Sequence, residues 1–148
     1  MFGNHPTQIL VPDPLGMDRG SEQMLAFVLR ALAVSCILFG ISHWAPIIGF
    51  GVDDSELIFN LPQPRQFLHV ALAVLYFVTM VGLWLMMAWG VVVWVLVILT
   101  ESLLHGWFYE IFGVQRLLIL IHLGALALYI ATLLVVLRIR LTAPRRRV

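Results

Sequence analysis

The chain has 148 residues, of which 61% are hydrophobic and only 11% are charged, and its formal net charge is +1. Average globular proteins are roughly 45–50% apolar and about 25% charged, and a soluble domain of this length could not bury so much apolar surface. The composition therefore excludes an ordinary soluble protein and predicts an integral membrane protein. The single cysteine, Cys36, excludes an intramolecular disulfide and a Cys-x-x-Cys dithiol pair.

Residues 1–23 are expected to form a flexible polar tail that precedes the first helix. The segment has no basic region at its start, and its prolines and glycines interrupt any apolar stretch, so it does not resemble a secretory signal. Prolines also favour extended backbone over helix. The first membrane span is expected to follow at about residues 24–45, because Pro46 and Gly49 discourage a longer helix.

The middle of the chain contains an uncharged run, residues 66–100, that is too long for one membrane helix. A single helix of that length would extend about 52 Å, whereas the hydrocarbon core of a bilayer is about 30 Å thick. Gly90 allows a tight turn at Ala88–Gly90, so we expect two spans here. In chain order the four predicted spans cover residues 24–45, 67–87, 91–107 and 117–137, and a basic tail follows at 138–148. The predicted fold is an all-α integral membrane protein, a bundle of four transmembrane helices.

The arginines are distributed unevenly between the two sides of this bundle. With an even number of spans both termini lie on one side, and only Arg65 and Arg116 lie on the other. The terminal side carries seven arginines: Arg19, Arg30, Arg138, Arg140, Arg145, Arg146 and Arg147. The positive-inside rule then predicts that both termini are cytoplasmic.

The basic tail at the end of the last span is expected to contact anionic lipid headgroups. The arginines expected to make this contact are Arg138, Arg140, Arg145, Arg146 and Arg147. A nucleic-acid partner is not expected, because the net charge of +1 provides no large basic surface.

Five polar side chains inside the predicted spans form a candidate intramembrane cluster. They are His43, His69, Glu101, His105 and His122. Each predicted span supplies at least one of them, and all fall in the half of the membrane away from the termini. Histidines from separate helices can hold haem or a metal ion, although no cofactor is predicted here and a metal site stays an open alternative.

Glu101 and His105 lie four residues apart and therefore share one helical face. A charged side chain at the centre of a bilayer costs about 2.5–3.5 kcal/mol on insertion scales, so we expect this face to turn into the bundle. The favoured interpretation is a hydrogen-bonded pair that joins the third span to the fourth.

Three stretches carry a resemblance to known sequences: "HWAPIIGF" at the end of the first span, "AVLYFVTMVGLWLMMAWGVVVW" across the second and third, and "TESLLHGWFYEIFG" at the end of the third. They resemble a group of small four-span inner-membrane proteins of unknown function from alphaproteobacteria. The resemblance covers roughly residues 24–137 and implies fold and location, but no activity.

The functional hypotheses rest mainly on what the chain lacks. It has no Gly-rich phosphate loop, no His-Glu-x-x-His motif and no Gly-x-Ser-x-Gly elbow, so an enzyme is the less favoured class. The leading hypothesis is a non-catalytic accessory or scaffold subunit of a larger envelope complex, with membrane lipids and another membrane protein as partners. The alternatives are a membrane redox protein that binds haem, metal or quinone, and a homodimeric small-solute transporter that uses Glu101.

Overall fold

The computed structural model describes residues 19–112 and 115–142, and every regular element in these two ranges is helical. The helices are α1 (Arg19–Ile48), α2 (Gln63–Trp84), α3 (Ala88–Gly106), α4 (Tyr109–Phe112) and α5 (Arg116–Thr142). Two 3₁₀ turns, Asp54–Glu56 and Ile58–Asn60, lie in the connection between α1 and α2.

Four of these helices are long and apolar enough to cross a membrane, and they lie within α1, α2, α3 and α5. Their outward faces carry large apolar side chains that are more than half exposed, such as Phe27, Leu38 and Leu96. Such a surface is unfavourable in water and suits a lipid environment. In the described residues the structure therefore confirms the predicted all-helical fold with four helices that are long and apolar enough to cross a membrane.

The four long helices pack in a ring, in which α1 and α3 each contact both α2 and α5. As a result α1 faces α3 across one diagonal of the bundle, and α2 faces α5 across the other. The core contains apolar side chains from α1, α2 and α3 and a few partly buried ones from α5; its largest fully buried members are Trp94, Tyr76 and Leu83.

The end of α1 lies slightly beyond its predicted position. The helix continues through Pro46 to Ile48. It then ends at Gly49, which adopts a φ of 71° while Phe50 N–H donates to the carbonyl of Ala45. This is the Schellman arrangement, in which a left-handed residue after the helix satisfies carbonyl groups of its last turn.

The turn between α2 and α3 lies at Leu85–Met87, before the predicted position at Ala88–Gly90. Met87 N–H donates to the Gly82 carbonyl and Met86 N–H to the Leu83 carbonyl, which repeats the Schellman arrangement. Met86 occupies the left-handed position with a φ of 55°, where glycine is the usual residue.

Gly90 is instead buried in the first turn of α3, where it faces Gly82 of α2. A Cβ atom on Gly90 would lie 2.3 Å from the Gly82 carbonyl carbon, closer than any real Cβ contact. The two glycines therefore allow the backbones of α2 and α3 to approach closely, as small residues do in membrane bundles.

Only some of the arginines that were predicted to contact lipid headgroups lie within the described residues. Arg138 is exposed near the end of α5. Arg145, Arg146 and Arg147 lie outside the described residues, as do the side chain of Arg140 and residues 1–18 of the predicted tail.

Candidate functional site

Glu101 lies on the inward face of α3 and has no solvent exposure. The buried positions Trp94, Val97, Ile98, Glu101 and His105 follow the spacing of one helical face. Because Trp94, Val97 and Ile98 of this stripe are apolar, their packing against the other helices also brings the Glu101 carboxyl group into the bundle.

Three side chains, each from a different helix, surround the Glu101 carboxyl group. His43 of α1 lies with Nε2 2.9 Å from Oε1, and the Tyr76 hydroxyl of α2 donates a hydrogen bond to Oε2. His122 of α5 places Nε2 3.6 Å from Oε2, within the distance of an ion pair. All four membrane-capable helices therefore meet at one carboxyl group.

The hydrogen bonds around Glu101 form a chain that extends in two directions. On one side His43 Nδ1 lies 3.2 Å from His69 Nδ1. On the other side the Tyr76 hydroxyl lies 3.2 Å from His122 Nε2. The order of the chain is His69–His43–Glu101–Tyr76–His122. We refer to these five residues as the polar chain.

Two arrangements of protons satisfy the part of the chain between Glu101 and His122. When Glu101 is ionised, Tyr76 donates to Glu101 and accepts from His122 Nε2–H, which leaves His122 Nδ1 as an acceptor in the neutral ring. When Glu101 carries a proton on Oε2, it donates to Tyr76, which donates to His122 Nε2, and His122 Nδ1–H becomes a donor. The proton on Glu101 thus determines which role His122 Nδ1 can play.

His105 lies beside the polar chain but does not contact the Glu101 carboxyl group. Its Nδ1 lies 3.0 Å from the Glu101 backbone carbonyl, which can only accept, so Nδ1 carries the proton. The predicted side-chain pair between Glu101 and His105 is therefore replaced by a backbone contact within α3. The residue of α5 that approaches the carboxyl group is His122.

A polar cavity of about 320 Å³ lies at the end of the bundle that faces the α1–α2 connection and α4. His43, His69 and His105 line it, so one end of the polar chain reaches this space. Its other polar lining residues are Ser42, Glu56, Arg65 and Gln115.

A second cavity, of about 310 Å³, lies deeper in the bundle between α1 and α5. Tyr76 and His122 line it, and the rest of its lining is almost entirely apolar. His122 Nδ1 is buried and makes no hydrogen bond with any described residue. The polar chain therefore runs from a polar cavity to an apolar one, and its last nitrogen has no partner.

The chemistry available at this site is acid–base chemistry. In the described part of the chain, no group of three or more His, Cys, Asp or Glu side chains has an arrangement that could hold a metal ion. The polar chain instead contains five groups that can each exchange a proton, in contact across four helices. Buried networks of this kind occur where membrane proteins move protons.

Tyr76 is the one residue of the polar chain that was not among the candidates from the sequence. It lies seven positions after His69, which is two helical turns, so both side chains point from one face of α2. The remaining positions of that segment are apolar, and a lone tyrosine in such a run is easily interpreted as a core residue.

The sequence was compared with known families, curated proteins and solved structures. No curated protein and no solved structure matches it. One family model, described as a family of unknown function, matches residues 23–140. The match covers most of the chain, including all five residues of the polar chain, and the protein therefore belongs to this family of unknown function, DUF6163.

Proposed function

We propose that this protein moves protons within the membrane along the polar chain, as part of a redox or ion-coupled reaction. The observation that supports the proposal is the unbroken contact from His69 to His122 through Glu101. One end of the chain lines a polar cavity and the other lines an apolar cavity. Protons could therefore pass between an aqueous entrance and a ligand held among the helices.

The energetics favour this role over a purely structural one. Interhelical hydrogen bonds in membranes average about 0.6 kcal/mol, so the two hydrogen bonds to Glu101, from His43 and Tyr76, would contribute about 1 kcal/mol. An ionised carboxyl group that is buried among the helices also loses its hydration, which costs several kcal/mol. The contacts alone do not offset that cost, and an apolar core could join the four helices more cheaply. An ionisable group at this position is best explained by a use for its proton.

Infrared difference spectroscopy on the purified protein in detergent tests the proposal. The other acidic side chains also give carbonyl bands that change between acidic and alkaline buffer, and we expect one further component that is absent from the Glu101→Gln variant. Glu110→Gln, which alters an exposed glutamate of α4, is the matched control and should retain the band. If the wild-type and Glu101→Gln difference spectra were the same, Glu101 would not exchange protons and the proposal would fail.

A second candidate function is the accessory subunit that the sequence favoured. One observation supports it: only 17% of the most apolar window of α5 is buried, whereas the corresponding figure for each other span is 33%. The broad exposed face of α5 is available to a lateral membrane partner. Native gels of membranes solubilised in a mild detergent test this role. A tagged chain that migrates only as the isolated protein would contradict it.

We also propose that the protein lies in a bacterial inner membrane with both termini in the cytoplasm, because seven of nine arginines lie on the terminal side. Alkaline phosphatase fused after Ser55 should then be active, and the same enzyme fused after Val148 should be inactive. The reverse pattern would require the opposite orientation.

A further inference from the structure

We infer that the apolar cavity between α1 and α5 is a binding site for the headgroup of a membrane quinone. The inference deepens the proposed function and rests on it, since it names the ligand at the apolar end of the polar chain. It concerns binding only, and it requires a ligand that is lipid-soluble, planar and equipped with a hydrogen-bonding oxygen.

The size and position of the cavity fit such a ligand. Its volume of about 310 Å³ lies at the lower end of the range of roughly 300–1,000 Å³ that is typical of small-molecule sites. Several lining residues are exposed on the lateral surface of the bundle, namely Ala31, Ile121, Gly124 and Leu128. The cavity therefore opens sideways, toward the region that lipid occupies, so an apolar ligand can enter from the bilayer.

The lining favours a ring over an acyl chain. Four ring-bearing side chains contribute to it: Phe39, Tyr76, Trp94 and His122. The Phe39 ring lies 5.0 Å from the His122 ring and 5.6 Å from the Tyr76 ring, measured between centroids. Aromatic rings at these separations stack or tilt against one another, and a planar ligand can take part in the same packing.

The unpartnered nitrogen of His122 provides the polar contact. His122 is 3% exposed, it lines the cavity, and its Nδ1 has no hydrogen-bond partner among the described residues. A buried polar atom without a hydrogen-bond partner destabilises the folded protein. An oxygen atom of a bound headgroup would satisfy it.

The two proton arrangements of the polar chain match the two forms of a quinone. With Glu101 ionised, His122 Nδ1 is an acceptor and pairs with a hydroxyl of the hydroquinone. With Glu101 protonated, His122 Nδ1–H is a donor and pairs with a carbonyl of the quinone. A single nitrogen can therefore recognise both forms, and the state of Glu101 selects between them.

Fluorescence titration of the purified full-length protein in detergent tests the inference. The probe is decylubiquinone, whose ring quenches tryptophan, and Trp94 lies in the cavity wall as a reporter. We expect the quenching of tryptophan fluorescence to saturate as decylubiquinone is added to the wild-type protein. The His122→Phe variant should bind about threefold to tenfold more weakly, because it loses one hydrogen bond but keeps a ring.

Two further variants separate cavity binding from an effect on folding. A Cβ atom on Gly124 would meet no atom within 4 Å, so Gly124→Leu can fill the cavity without disturbing the helices and should abolish saturable quenching. Ala127→Leu, an exposed position on the same helix that does not line the cavity, is the matched control and should bind normally.

Decylbenzene, which has the same chain and a ring but no oxygen, is the competitor. Relief of the quenching by decylbenzene at concentrations similar to that of decylubiquinone would overturn the inference, as would equal binding of decylubiquinone by Gly124→Leu. Neither result would alter the infrared test of Glu101, so loss of the quinone inference and loss of the proton-transfer proposal are distinguishable.

Discussion

Glu101 and His43, which are 58 positions apart in the chain, meet across one diagonal of the bundle with 2.9 Å between Oε1 and Nε2. Tyr76 and His122 meet across the other diagonal at 3.2 Å. The Tyr76 hydroxyl also donates to Glu101, so a hydrogen bond joins the two diagonal contacts at the centre of the bundle. Changes at this centre should affect proton movement strongly, whereas their effect on stability should follow the small energies of single hydrogen bonds.

Replacement of Tyr76 by phenylalanine removes the hydroxyl between Glu101 and His122 but keeps the buried ring. We expect Tyr76→Phe to lower the free energy of unfolding by about 1 kcal/mol, near the values measured for interhelical hydrogen bonds. Activity should be lost, because the hydroxyl that hydrogen-bonds both groups is removed and the remaining distance of 3.6 Å between Glu101 Oε2 and His122 Nε2 is too long for a hydrogen bond. Thermal unfolding in detergent and complementation of a strain that lacks the gene measure the two effects.

Tyr129→Phe is the matched control for this variant. The Tyr129 ring packs edge-on against Trp94 at 5.7 Å, and its hydroxyl is not part of the polar chain. It should retain activity. A Tyr76→Phe protein that complements as well as the control would show that the chain need not be continuous.

The contact between Gly82 and Gly90 predicts a severe effect of any side chain there. Even Gly90→Ala would place Cβ 2.3 Å from the Gly82 carbonyl carbon, so α2 and α3 must separate. We expect a loss of about 1–3 kcal/mol from this overpacking, and reduced accumulation in the membrane. Gly106→Ala is the control on the same helix, because its nearest atom would be 3.8 Å away. Equal accumulation of the two variants would mean that the helices are not in close contact.

Replacement of Met86 by glycine should stabilise the folded protein. It holds a φ of 55° in the α2–α3 turn, a left-handed conformation that costs an L-residue roughly 1–2 kcal/mol. Its side chain is half exposed, so little packing is lost on removal. We expect Met86→Gly to raise the unfolding temperature. A lower temperature would indicate that the methionine side chain contributes more than its backbone conformation costs.

The sequence predicts the number of long helices in this fold better than it predicts the positions of the turns. Apolar runs and their lengths identify four membrane-capable helices, because a bilayer imposes a minimum length on any span. The position of the second turn is not predictable in the same way. Gly90 suits a turn, but it also suits close helix packing, and only the partner Gly82 decides between the two.

The candidate site, like the fold, is predictable from the sequence only in part. Buried polar residues in apolar helices are conspicuous, so the sequence identifies Glu101 and the histidines as candidates. Which of them touch depends on how the helices are rotated in the ring. The spacing of Glu101 and His105 indicates a shared face, yet their side chains do not pair, because the carboxyl group reaches across the bundle to His43 and Tyr76.

The central claim, that the Glu101 proton is used and not merely buried, is tested most directly by the Glu101→Gln variant in a strain that lacks the gene. The glutamine amide has one acceptor oxygen and one N–H donor group, so it can replace the protonated carboxyl group between His43 and Tyr76, but it cannot release a proton. With membrane levels of each protein quantified, we predict that Glu101→Gln accumulates like the wild type and fails to complement, while the control Glu110→Gln complements. A Glu101→Gln protein that accumulates normally and restores full activity would contradict the account.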